Sequence, residues 1–349
     1  MAFTATQLGI EARTAYSNDK PVMLGENVLE SISAGARGWR SWNPATFPGD
    51  NEYGDYTVGG VNYDATDSAY PTNLISDRFT HSRSRALKPA GIPTAYNDRW
   101  SIAFFYASGM SFDSVGLLGH NLGTLSRTYG TANGGNPFVV RVGVSNDGSA
   151  WTTVATFTDP QTDKPLVSFD LANGGGVPAS FAQFSGVVYF AISIVCPGAT
   201  MGQSPSQLPE IGEIVLGRRL QLLHQARVPY AEKIVGADTE KMRGDTGAYS
   251  SYTRSTGRRA ISGTYEVAEE AALLDFYKTH ISHGMFPFLF VPRGSKAEFP
   301  TIYGGAEPGE SFWVALQDND FSIEVGDGLH DKSVSLRMLE SADYNSGVA

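Results

Sequence analysis

Apolar residues recur at two spacings along this chain, and the spacing changes partway through it. From Tyr70 to Gly217 the pattern is alternation. Val140, Val142 and Val144 share one face of the run Phe138 to Val144. Ser145-Asn146-Asp147-Gly148 supplies a turn, and Trp151 to Phe157 returns. Val188, Phe190, Ile192 and Ile194 mark a buried face of Val187 to Val195. Trp100 to Tyr106, Phe112 to Leu118 and Ile211 to Leu216 are further apolar strands. Period-two runs separated by turns predict a β-sandwich or jelly roll.

After a β-like run from Ala260 to Tyr265 the period lengthens. Val267, Ala271, Leu274 and Ile281 fall near 3.6 residues apart, and Leu273, Phe276 and Tyr277 widen the stripe. Glu266, Glu269 and Glu270 suit the positive end of a helix dipole, and Lys278, His280 and His283 suit the negative end. Gly284 is placed as the left-handed residue that stops the helix. The spacing predicts a helix over about 267–283. Phe286 to Val291 follows, bracketed by Pro287 and Pro292, and reads as a short strand at a sheet edge. In the last third Phe312 to Leu316 is a strand. Phe321, Ile323 and Val325 face one way with Val334, Leu336 and Met338, while Ser322, Glu324, Ser335 and Arg337 face the other. That alternation predicts a hairpin with one wet face.

Length changes this picture first, because 349 residues suggest two domains. A formal net charge of −10 argues against a general nucleic-acid binder, which needs clustered Lys and Arg. The single cysteine, Cys196, excludes a disulfide framework and a cysteine-rich zinc site. It ends an apolar run and is expected to be buried and inert. Met1 to Lys20 lacks the apolar run of a signal peptide, and no stretch is apolar enough for a transmembrane helix, so a soluble chain made in the cytosol is expected. Met1 to about Glu30 reads as an arm, with Lys20 to Leu29 adding one strand elsewhere.

Candidate chemistry is sparse. His280 and His283 lie three apart on the helix, but no glutamate follows the first, as hydrolytic zinc needs. Capping of the helix end is the expected role. His120 is expected to hydrogen-bond loop backbone. Gly217-Arg218-Arg219 and Gly174-Gly175-Gly176 lack the frame of a phosphate loop. There is no nucleophile elbow, no selected carboxylate pair and no cofactor motif, so no catalytic, cofactor-binding or metal residue is assigned. Trp39, Trp42, Tyr53 and Tyr56 lie in a Gly- and Asn-rich stretch. They either cover the end of the sandwich, the first reading, or present rings to a sugar or a protein neighbour.

Two stretches resemble known families. "RRAISGTYEVAEEAALLDFYKTHISHGMFPFLFVP", followed by "FWVALQDNDFSIEVGDGLHDKSVSLRMLE", resembles the tail-tip domains of long-tailed bacteriophages, over about Leu216 to Glu340. Tyr70-Pro71-Thr72-Asn73-Leu74-Ile75-Ser76-Asp77, Trp100, Val115 to Leu122, "VRVGVSNDGSAWTTV" and "EIGEIVLG" resemble a galactose-binding-like (discoidin-type) jelly roll, over about Ser68 to Gly217. Thr124 to Asn136 and Cys196 to Pro209 depart from that pattern, and no sugar-binding residue is carried over.

The resemblances imply a mainly β chain: an arm at 1–30, a jelly roll at 31–217, a tail-tip-type β-sandwich or barrel with one packed helix at 218–340, and a tail at 341–349. They imply a non-enzymatic structural component of a phage tail tip or baseplate, of distal-tail or minor-tail kind, assembled in the host cytoplasm and carried in the virion. Its partners would be copies of itself in a ring, hexameric first and trimeric second, other tail proteins, and a host-surface glycan, with no nucleic acid and no membrane insertion. A glycan-binding adhesin is the alternative, and a tail-associated glycan hydrolase the third reading.

Overall fold

The computed structural model describes residues 21–31, 36–40, 57–58, 61–62, 84–85, 99–110, 112–145, 151–163, 165–169, 187–201, 208–222, 227–243, 249–266, 270–291, 311–317, 323–325 and 332–341. The chain is mainly β, with a jelly-roll sandwich and a second sheet that carries the packed helix. Its strands are β1 (Val22–Leu24), β2 (Ala36–Arg40), β3 (Thr57–Val58), β4 (Val61–Asn62), β5 (Ser84–Arg85), β6 (Arg99–Met110) and β7 (Ser114–Leu118). Then come β8 (Val139–Ser145), β9 (Thr152–Thr158), β10 (Leu166–Phe169), β11 (Val187–Val195), β12 (Glu210–Ile211), β13 (Glu213–Gly217) and β14 (Leu220–Gln221). The last third adds β15 (Arg227–Arg243), β16 (Tyr249–Glu266), β17 (Phe288–Val291), β18 (Phe312–Leu316), β19 (Ile323–Val325) and β20 (Lys332–Glu340).

The sandwich packs a five-stranded sheet, β2-β6-β11-β8-β9, against a three-stranded one, β10-β7-β13. Alternation builds its core as the sequence predicts. Trp100, Ile102 and Phe104, Val140, Val142 and Val144, and Phe190, Ile192 and Ile194 meet Val115 and Leu117, Leu166, and Ile214 and Leu216 from the opposite sheet. The expected strands at Phe138 to Val144, Trp151 to Phe157 and Val187 to Val195 lie within one residue of β8, β9 and β11.

The second sheet runs β14-β1-β17-β18-β20-β16-β15, with β19 also on β20. It takes β1 from before the sandwich and β14 from after it, and these two strands are antiparallel neighbours, Val22 opposite Gln221 and Met23 opposite Leu220. The sandwich is thus an insertion between adjacent strands. The strand expected within Lys20 to Leu29 is β1, while residues 1–20 lie outside the described residues. The outward faces of the three-stranded sheet supply Leu118, Val167 and Val215. They pack with Val22 and Leu24 of β1, Leu289 and Val291 of β17, and Trp313 of β18. Sandwich and second sheet therefore share an apolar seam.

Two expectations need correction. β17 is not an edge strand, because it pairs with β1 on one side and β18 on the other and is buried throughout. Pro287 stands before the strand rather than in it, so no ladder donor is missing, and β1 covers the edge that the prolines suggested. The helix stripe is also displaced. α2 (Glu270–Asp275) continues as a π-helical turn over Phe276–His280. Leu273, Phe276 and Ile281 are buried, whereas Leu274 is half-buried and Ala271 exposed. The wide turn closes by a bond from Ile281 N–H to Phe276 O at 3.1 Å, which brings Ile281 beneath Phe276 and not beneath Leu274. Val267 lies outside the described residues. Gly284, with φ of 85°, takes the expected left-handed role, and Ser282 and His283 at 47° and 58° enter that region before it. The closing hairpin has its wet face: Val334, Leu336 and Met338 are buried, and Ser335 and Arg337 are exposed.

Candidate functional site

Of the four aromatics singled out in the sequence, Trp39 lies in β2, which pairs with β6 at the edge of the five-stranded sheet. The register shifts between Arg37 and Arg40, so Trp39 sits in an irregular stretch of that edge. Trp42, Tyr53 and Tyr56 lie outside the described residues.

At one end of the sandwich the sequence missed α1 (Leu122–Tyr129). Leu122 and Leu125 enter the core. Asn121 does not cap it with its side chain, which instead ties Leu208 O at 2.8 Å and accepts from Glu210 N–H at 2.9 Å. Asp163, from the loop before β10, takes over the first turn, accepting from Thr124 N–H at 2.8 Å and Thr124 Oγ1 at 2.5 Å. A carboxylate there also suits the helix dipole. Arg127 donates to Gln161 O and stands 3.9 Å from Asp163. Asp159, at φ 47°, gathers Thr131 Oγ1 and Phe138 N–H on its carboxylate. Thr124, Arg127 and Thr131 thus present polar groups from fixed backbone at the end of the sandwich. Burial raises the Tyr129 hydroxyl above its ordinary pKa.

Charged side chains also meet at the junction of the two sheets. Arg218 meets Glu26 at two points, Nε to Oε2 at 2.6 Å and Nη2 to Oε1 at 2.7 Å. Its own N–H adds a third bond to Oε2 at 2.8 Å. Burial alone would lower the guanidinium's pKa; the bonds to Glu26 and its charge outweigh that and hold it above the ordinary value. Next to this pair, buried Asp113 accepts from Ser114 Oγ at 2.7 Å and Arg219 N–H at 2.9 Å, with the Arg219 guanidinium 3.5 Å away. Burial raises the Asp113 pKa in spite of these partners. Asn27 completes the junction through Glu213 Oε1 at 2.9 Å and Ile214 O at 2.8 Å. Each carboxylate here faces a cation or an amide donor, so the cluster is built to hold two sheets together rather than to move a proton.

The histidines occupy separate places. His120 Nδ1 accepts from Leu122 N–H at 3.3 Å, as expected of a loop-bonding residue. His280 packs on Phe276 and lies 3.7 Å from Asp275, whereas His283 packs on Tyr277. Among the described residues no group of three or more His, Cys, Asp or Glu is placed to hold a metal. Cys196 is buried, with Sγ donating toward Tyr129 O and Asn136 O.

No protein-family model matches the chain, and no curated protein matches it. Solved structures do resemble part of it. A chitosan-binding module derived from a chitosanase/glucanase of Paenibacillus sp. IK-5 aligns at 12% identity and a TM-score of 0.30, over 55% of this chain and 98% of that one. An F5/8 type C domain from Bacteroides fragilis aligns at 14% identity and 0.25, over 52% and 99%. A pectin-binding carbohydrate-binding module aligns at 13% identity and 0.23, over 41% and 76%. What this chain is similar to, over about half its length, is a set of carbohydrate-binding and discoidin-like jelly-roll modules.

Proposed function

We propose that this chain is a non-catalytic recognition protein, in which a glycan-contacting jelly roll is held in fixed orientation by an assembly platform. The observation that carries the reading is the insertion of the sandwich between β1 and β14. Both of its connections leave one sheet, they are clasped by Glu26 and Arg218, and an apolar seam lies between the sheets. A module tethered twice and glued along one face cannot swing, which suits presentation of a surface. The ligand class, a host-surface glycan, is one of those compatible with the resemblance of residues 68–217 to galactose-binding-like modules, which bind glycans, bind proteins or pack against neighbours. Glycan-array binding by the full chain, weakened by Trp39→Ala or Trp42→Ala with the melting temperature unchanged, is the expected result. Absence of binding to any glycan would remove this reading.

The platform is proposed, more finely, as a tail-tip component of a long-tailed phage, self-associating in a ring within the virion and meeting other tail proteins. What favours it, beside the resemblance over Leu216 to Glu340, is the hairpin of β15 and β16. Its outer half extends past β20 and pairs only within itself among the described residues. An isolated two-stranded ribbon is marginal in water, and its edges invite a neighbour.

A further inference from the structure

β16 has two unlike edges. Along one, β15 pairs with it from Arg227 to Arg243. Along the other, among the described residues, β20 pairs with it from Ala260 to Glu266. The next position, Arg259, is closed by a side chain, its N–H donating to Glu340 Oε2 at 3.1 Å. That bond fixes the orientation of the strand. The Arg259 amide faces the β20 side, so by alternation those of Gly257 and Ser255 face it too. Ser255 is opposite Asp238, and because Ser255 turns away from β15, Asp238 turns away from β16; the register then shifts, Thr239 opposing Thr253, so Arg254 is an extra residue in β16 and the alternation counted from Arg259 ends at Ser255. Among the described residues, each edge of the arm therefore offers an outward amide, Ser255 on one side and Asp238 on the other. From Arg259 to Tyr249 the arm runs roughly 35 Å at the rise of a strand.

Charge distinguishes the edges. Glu232, Lys233, Asp238, Glu240, Lys241 and Arg243 crowd β15, and charges of this kind blunt an edge against pairing. Tyr249 to Gly257 holds Arg254 as its sole charge among Ser, Thr, Tyr and Gly. Two copies of this edge can run antiparallel with no like charges opposed in any register but the one that sets Arg254 on itself. We propose that the β20-side edge of the arm, Tyr249 to Gly257, pairs antiparallel with the same edge of a second copy, joining two hairpins into a four-stranded ribbon. This rests on the self-association in the assembly reading above; an edge paired with itself closes at two copies, so it is a two-fold contact between copies and not the contact that repeats around a ring.

The test uses the full chain with Ser255→Pro and Asp238→Pro, compared by sedimentation velocity across concentration. Each proline removes one outward amide and leaves the β15–β16 ladder donors in place. Ser255→Lys serves as a second variant that keeps the backbone. The expected result is self-association of the parent chain, weakened about tenfold or more by Ser255→Pro and Ser255→Lys, with Asp238→Pro associating like the parent and all melting within a few degrees of it. Association lost in Asp238→Pro and kept in both Ser255 variants overturns the choice of edge. Association kept in all three overturns the role of the arm while leaving the assembly reading intact. A parent chain that is monomeric at every concentration, or that gains mass only with a foreign protein, overturns pairing with a second copy; the fully monomeric outcome also removes self-association from the assembly reading.

Discussion

Arg218 grips Glu26 with both edges of its guanidinium and with its own backbone amide, although the two residues are 192 positions apart in sequence. Glu26 lies just after β1 and Arg218 just before β14, so the pair ties the chain's departure into the sandwich to its return. At side-chain exposures of 15% and 16% it is screened less than a surface ion pair. Glu26→Ala is expected to cost about 2–3 kcal/mol, because it leaves a half-buried guanidinium without its two-point partner. Urea unfolding of the full chain measures it, and a loss below about 0.5 kcal/mol would assign the pair to the solvated surface.

Asp113 gives the junction a pH dependence of unusual sign. Its folded-state pKa is raised, chiefly by burial, so between the ordinary aspartate value and the raised one the folded chain binds more protons than the unfolded. Its contribution is therefore fully present below the unfolded value and is lost as pH rises through the folded one. Asp113→Asn keeps an acceptor for the Arg219 amide and cannot titrate. Relative to this variant, the parent chain should lose stability from about pH 4 toward neutrality. Parallel stability curves for the two proteins over that range would refute it.

The helix face has its own test. Leu273 is buried and Leu274 is half-buried. Leu273→Asp places a carboxylate against Phe276 and Phe288 and should cost more than about 3 kcal/mol, enough to abolish soluble expression. Leu274→Asp should cost about 1 kcal/mol or less. Expression level and melting temperature decide between them, and the reverse ranking would restore the regular 3.6-residue stripe.

How far the fold was legible follows from where each element finds its reasons. β8 and β11 could be read because one face of each is apolar at alternate positions. α1 could not: Leu122-Gly123-Thr124-Leu125-Ser126-Arg127-Thr128-Tyr129 holds a glycine, a serine and two threonines, which are weak helix formers. Its cap comes from Asp163, a residue on another loop. β15 and the outer half of β16 were missed because their charges and hydroxyls give no period-two stripe. The interior place of β17 depended on β1, which arrives from the far end of the sequence. The π turn moved the helix face by an insertion that no 3.6-residue template contains. Among candidate site residues, the junction cluster of Glu26, Asp113, Arg218 and Arg219 had no local signature, since its members meet only through the insertion.

The seam between the sheets yields the last expectation. Residues 31–217 contain all of the sandwich core strands, and expressed alone they should reach a β-rich fold. That fragment would nevertheless expose Leu118, Val167 and Val215, which the full chain covers with Val22, Leu24, Leu289, Val291 and Trp313. It would also lose Glu26 and Asn27, which hold the return strand. Bare apolar side chains aligned on a three-stranded sheet form a contiguous patch of the kind that drives association. The fragment should therefore bind a hydrophobic dye and self-associate at concentrations where its circular dichroism is already native-like. Leu118→Thr with Val215→Thr should return it to a monomer, while the same pair in the full chain should cost about 2–4 kcal/mol by opening the seam. Light scattering of the fragment with and without the two substitutions checks the first half, and urea unfolding of the full-length variant checks the second. A fragment that stays monomeric and dye-silent without them would mean that the outward face of β7 and β13 is covered within the sandwich itself and that the seam holds nothing in place.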